Sequence, residues 1–211
     1  MKTLCIDRRR LLLGTAAVLG TLAGPARAAA FDLQALAALL AQRKSGQARF
    51  TEERHVSGID GPLRASGTLS FSAPGFFERR TLEPTVESMS VEGNTITLKR
   101  GNRSRQMAMD AVPEVGALLE AVRGTLTGNA LTLDKHFNAR VEGNAARWLL
   151  TLVPRDARLA SQVRELQIAG LQSDVRSVAL WLGGGDRSVM SIEPVQAAPA
   201  AAPAAAAASA K

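Results

Sequence analysis

Residues Leu63 to Leu82 read LRASGTLSFSAPGFFERRTL, and the first half alternates strictly. Leu63, Ala65, Gly67, Leu69 and Phe71 fall on one side; Arg64, Ser66, Thr68 and Ser70 fall on the other. A period of two with one apolar side is that of a strand with a dry face and a wet face. Ala73-Pro74-Gly75 then stops and turns the chain, because proline lacks a donor and glycine accepts left-handed backbone angles. Phe76 to Leu82 restarts an extended run. Two runs joined by a short turn form one piece of an antiparallel wall.

The same grammar continues on both sides. Gln47 to Val56 is a strand ahead of the turn-forming Ser57 to Pro62, with Phe50 and Val56 on one side. Downstream come Thr85 to Glu92, the Gly93-Asn94 turn, Thr95 to Lys99, the Arg100-Gly101-Asn102 turn and Arg103 to Met109. Two amphipathic segments break this meander. Phe31 to Lys44 carries Leu33, Leu36, Ala37 and Leu40 at helical spacing, with Asp32 as N-cap and Ser45-Gly46 as stop. Pro113 to Thr127 puts Val115, Leu118, Leu119 and Val122 on one helical face, and Asn129 to Phe137 reads as a further short helical turn. Strands resume at Asn138 to Glu142 and Arg147 to Val153, joined by Gly143-Asn144. Pro154 to Ser161 reads as a polar loop; Gln162 to Ala169, Val175 to Leu182 and Ser188 to Pro194 complete the set, with a hairpin turn at Gly183 to Asp186. The predicted class is α+β, with an antiparallel sheet of about ten to eleven strands, long enough to curl. Closing it wholly or nearly would remove its edges.

The ends read differently. Met1 to Ala28 has a basic start, an apolar run from Leu11 to Ala23 and Ala26-Arg27-Ala28 as a small-x-small site. That is the layout of an export signal, cleaved near Ala28, and Arg8-Arg9-Arg10-Leu11-Leu12 fits the twin-arginine type as well as the general secretory type. Residues 29–196 are the expected folded domain, and 197–211, alanine with scattered proline, the expected disordered tail. The expected location is the periplasm. The only cysteine, Cys5, precedes the apolar run, so the exported part is free of thiol chemistry. Five of the 26 basic and one of the 19 acidic residues lie in the signal, which leaves 21 against 18 and reduces the net charge from +7 to +3. That charge is scattered and tyrosine is absent, which argues against a nucleic-acid footprint.

Catalytic patterns are lacking. His55 lies in the charged run Glu52-Glu53-Arg54-His55, read as a solvated strand face, and His136 follows Asp134-Lys135. Neither has metal-ligand spacing, and no Gly-x-Ser-x-Gly elbow is present. No enzyme activity, cofactor or metal is expected. The apolar inventory says more. Trp148, Leu150 and Leu152 face one way and Leu149 and Val153 the other; Val178, Leu180 and Leu182 are read as opposing Val175, Ala179 and Trp181. A strand apolar on both faces is covered on both, or one face awaits a ligand. Met89, Met107 and Met109 add side chains that adapt to irregular partners. In a curling sheet with amphipathic helices, these features favour a hydrophobic ligand cavity.

The order of elements, with Ala48-Arg49-Phe50-Thr51, Gly67-x-Leu69-x-Phe71, Pro74-Gly75-Phe76-Phe77, Glu83-Pro84 and Ser90-Val91-Glu92-Gly93-Asn94, resembles the periplasmic outer-membrane lipoprotein carriers of the LolA family over nearly all of residues 31–195. The resemblance implies an incomplete, half-open antiparallel β-barrel with a helical lid over an apolar cavity for acyl chains. It implies a carrier that takes an acylated lipoprotein, glycolipid or other lipid from an inner-membrane exporter to an outer-membrane acceptor, acting as a monomer without nucleic acid. On that reading Phe50, Leu69, Phe71, Phe77, Met89, Met107, Met109, Trp148 and Leu150 supply the wall, and Leu36, Leu40, Leu118 and Val122 the lid. The sequence departs from the family where an arginine precedes the turn proline, since Ala73 stands there. It also lacks the usual tryptophan after the turn and the aromatic run after Gly93, so cargo stays open between lipoprotein and another lipid. An envelope sensor or adaptor on the same half-barrel is the alternative.

Overall fold

The computed structural model describes residues 31–111 and 113–195. The expected signal, 1–28, and the tail, 197–211, lie outside the described residues. The chain runs α1 (Leu33–Leu40), β1 (Ser45–His55), β2 (Leu63–Ser72), β3 (Phe76–Glu83), β4 (Glu87–Glu92), β5 (Thr95–Arg100) and β6 (Arg103–Ala108). A 3₁₀ turn (Met109–Ala111), α2 (Pro113–Thr127) and α3 (Ala130–His136) follow, then β7 (Phe137–Asn144), β8 (Arg147–Pro154), α4 (Ala157–Gln162), β9 (Val163–Leu171), β10 (Asp174–Leu182) and β11 (Arg187–Val195).

The strands form one antiparallel sheet in the order β6-β5-β4-β3-β2-β1-β11-β10-β9-β8-β7. Every neighbouring pair is also adjacent in sequence except β1 with β11, which pair from Gln47–Val195 to His55–Arg187. That seam joins two meanders, and β6 and β7 remain as free edges, so the barrel is half open. Helical segments cover its inner face.

Local chemistry explains the helix starts. Asp32 Oδ1 accepts from the Ala35 amide at 2.9 Å, which caps α1. Asn129 caps α3 through the Thr132 amide. Asp156 Oδ1 accepts from the amides of Arg158 and Leu159, both at 2.9 Å. This last cap starts α4 inside the stretch expected to be a loop, and Leu159 anchors it in the core. A helix of six residues shows too little periodicity to declare itself.

Two cores fix the helices. In the larger, Leu36 and Leu40 of α1, Ala121 of α2 and Leu133 of α3 meet Trp148, Leu150 and Leu152 of β8 and Leu166 and Ile168 of β9. In the smaller, Leu119 of α2 meets Val91, Ile96 and Met109. Gly128, at φ +65°, ends α2 where a Cβ would stand 2.1 Å from the Ala37 carbonyl oxygen. The lid helices therefore approach α1 more closely than any side chain would allow. Among the described residues no helix is long and apolar enough to cross a membrane.

Candidate functional site

Between the two cores the sheet and helices do not close on each other. A cavity of about 340 Å³ remains under α1 and α2. Interiors normally pack without voids larger than a water, so a hollow of this size calls for a local cause. Ala48 and Ser188 present short side chains to it from β1 and β11, and Gly46 none at all. Most of the remaining lining is apolar: Leu69, Phe71, Phe77 and Met89 from β2 to β4, Leu166 and Ile168 from β9, Val175, Val178 and Leu180 from β10, and Met190, Ile192 and Pro194 from β11. Leu40 of α1 and Leu118, Leu119, Val122 and Leu126 of α2 roof it.

Of the residues expected in the wall, Leu69, Phe71, Phe77 and Met89 line this cavity, as do Leu40, Leu118 and Val122 of the expected lid. The other six stand in filled core. Phe50 is 2 % exposed; its ring lies beside Gly67 and beneath the Arg79 guanidinium, whose Cζ is 4.8 Å from the ring centroid. Trp148 stacks on Gly170, where a Cβ would come within 2.2 Å of its ring, and its Nε1 donates to the Gln172 carbonyl at 2.8 Å. Leu150 and Leu36 are fully buried in the same core. Met109 lies in the smaller core, and Met107 packs against it.

The expected phase fails at one point. Val175 shares the cavity with Val178 and Leu180, although an unbroken alternation would put it on the opposite face. The β9–β10 register shifts between Val175 and Ser177, and such a bulge inverts the phase. The β9–β11 wall was missed more broadly. Its alternations, such as Leu166/Ile168 and Met190/Ile192, are visible in the sequence, but nothing local says that β11 joins β1.

A polar group crosses the apolar wall. Glu52, read from sequence as solvated, turns inward and lines the cavity with Arg79. Arg79 Nη2 donates to Glu52 Oε2 at 2.5 Å, and Ser188 Oγ donates to Glu52 Oε1 at 2.5 Å. The two charged side chains are 28 % and 18 % exposed. Arg79 Nε is buried with no hydrogen-bond partner, which fits its cover by the Phe50 ring. At one end of the hollow, Arg43 pairs with Asp174, and Asp174 also holds Arg176. This ties the segment after α1 to the β9–β10 turn. Among the described residues no group of three or more His, Cys, Asp or Glu side chains could hold a metal. His55 is exposed on β1, and His136 is half-buried at the end of α3.

A sequence model of the family described as outer membrane lipoprotein carrier protein LolA-like matches residues 23–211. No curated protein matches the chain. Among solved structures, a LolA superfamily protein from Nitrosomonas europaea is similar at 8 % identity and a TM-score of 0.43, covering 80 % of this chain and 95 % of that one. The Pseudomonas aeruginosa MucA/MucB complex is similar at 16 % identity and 0.44, covering 80 % of this chain and 58 % of that one. LprF from Mycobacterium bovis is similar at 9 % identity and 0.36, covering 81 % and 96 %.

Proposed function

This chain belongs to the family of outer membrane lipoprotein carrier protein LolA-like sequences, and from that premise we propose that it is a periplasmic carrier for acyl chains. It shields them in the cavity under α1 and α2 and hands them on to an outer-membrane acceptor. The observation that carries the reading is the apolar hollow itself, about 340 Å³ in volume and so within the range of small-molecule sites, roughly 300–1,000 Å³.

The physical need is plain. Each methylene left in water costs about 0.8 kcal/mol, so a chain of some ten methylenes gains about 8 kcal/mol on entering. A carrier must also let go. The roof is two helices, and the Arg43–Asp174 ion pair bridges the end of α1 to the β9–β10 turn. Opening such a roof costs only part of the fold, and cargo that holds the open state better than the closed one shifts the balance. Residues 1–28 act as the export signal, and 29–196 as the carrier domain.

The test is extraction and binding. Protein purified from its native envelope is extracted with organic solvent and the extract analysed by mass spectrometry; stripped protein is then titrated with a fluorescent fatty-acyl probe. A co-purifying acyl lipid and saturable micromolar binding are expected. Protein that comes up empty and leaves the probe unbound would overturn the carrier reading in favour of a sensor or adaptor.

A further inference from the structure

One row of inward-facing side chains runs from the cavity to the free edge of the sheet. Arg79 stands opposite Met89, Met89 opposite Leu98, and Leu98 opposite Arg105. Arg79 and Met89 line the cavity. Leu98 is 38 % exposed, and Arg105 is exposed. Along this row the wall of the hollow therefore continues to solvent instead of ending in packed core. By the period of two, Arg100 and Arg103 share that face with Leu98 and Arg105. They stand directly opposite each other and are both exposed.

None of the three arginines has an ion-pair partner among the described residues, nor has Glu87, which stands opposite Arg100 on β4. Like charges directly opposed across a strand pair are destabilising. Guarding the edge strand against unwanted pairing needs charge of either sign, so a same-sign cluster opposite itself asks for another explanation. The cluster also sits where an acyl chain leaving the hollow over Met89 and Leu98 would place its headgroup.

We propose that the cargo is an acyl lipid with a net-negative headgroup, seated on Arg100, Arg103 and Arg105 while its chain passes over Leu98 and Met89 into the cavity. The inference rests on the carrier reading above and narrows it to a cargo class. A guanidinium fork matches phosphate oxygens in pairs, and three of them on an exposed rim would retain an anionic headgroup without burying it.

Short-chain phosphatidylglycerol and phosphatidylcholine of equal chain length, both below their micelle concentrations, are used to displace a bound fluorescent acyl probe. The full chain and an R100Q/R103Q/R105Q variant are compared. About ten-fold tighter competition by the anionic lipid is expected, a preference that falls with added salt and collapses in the variant. Equal competition by the two lipids, a preference that survives the triple substitution, or a variant that loses both lipids equally would each overturn the proposal. A probe that never binds the unaltered chain overturns the carrier reading itself. Coincident thermal transitions for the two proteins show that the variant is folded.

Discussion

Val178 sits in the middle of β10, between Ile168 and Met190, and faces the hollow. Replacing it with phenylalanine adds four carbons. In a packed interior that change forces strain of about 1–3 kcal/mol. Here the added atoms enter empty space. At about 0.8 kcal/mol per buried methylene the gain reaches roughly 3 kcal/mol, and incomplete fit to the wall takes away about half of it. Val178→Phe is therefore expected to raise stability by about 1–2 kcal/mol. For a domain of this size that corresponds to a rise of roughly 3–6 °C in Tm, read by calorimetry or by loss of far-ultraviolet circular dichroism. The same ring takes space that an acyl chain needs, so affinity for a fluorescent fatty-acyl probe should fall at least ten-fold. Opposite signs for stability and binding are the signature of a functional hollow. A variant that unfolds several degrees lower, with probe binding intact, would refute the reasoning, because the interior at Val178 would then be solid.

Breaking the inward ion pair should cost more than an exposed pair usually does. Glu52→Gln leaves Arg79 partly buried without its counter-charge, and with both groups screened by some solvent about 1–2 kcal/mol is expected from urea unfolding. Glu52→Leu combined with Arg79→Met should recover most of that loss, and a double variant as unstable as the single one would count against the pair. Gly128→Ala places a methyl group at a positive φ and against the Ala37 carbonyl. It should cost roughly 2–4 kcal/mol and raise amide exchange in α1 and α2; unchanged exchange there would show that the close approach is not needed. Asp174→Asn removes the partner of Arg43 and should change global stability by less than about 1 kcal/mol. It should also speed release of a bound acyl probe several-fold in stopped flow, and an unaltered release rate would separate that ion pair from lid motion.

Much of this molecule is legible in the chain. The alternation at Leu63–Phe71 became β2, and the Gly93-Asn94 turn joins β4 to β5 as expected; the turn expected at Gly143-Asn144 falls two residues later, on Ala145-Ala146, because Gly143 and Asn144 still pair with Trp148 and Arg147. Pro113 to Thr127 is helical over the whole predicted span. These signals are local, and each element follows its own period. What failed required knowledge of distant partners or of single irregularities. Glu52 lies among charged residues, and only its place between Ala65 and Met190 reveals that it turns toward Arg79. Val175 changes side because of one bulge. Trp148 and Leu150 look like pocket residues for the same reason that they are core, since a large apolar side chain reads alike in both settings. The deciding fact is whether helix side chains pack directly onto them, and on β8 those of α1, α2 and α3 do.

The pairing of β1 with β11 has one more consequence, which concerns time rather than shape. Gln47 must find Val195 nearly the whole length of the domain away, whereas the other strand pairs link consecutive strands. Closing so long a loop carries the largest entropic cost of any pairing in the sheet. The two meanders can each form early and wait. Lining residues from both of them face one another only once the last strand is in place, so an unfinished chain has no complete hollow.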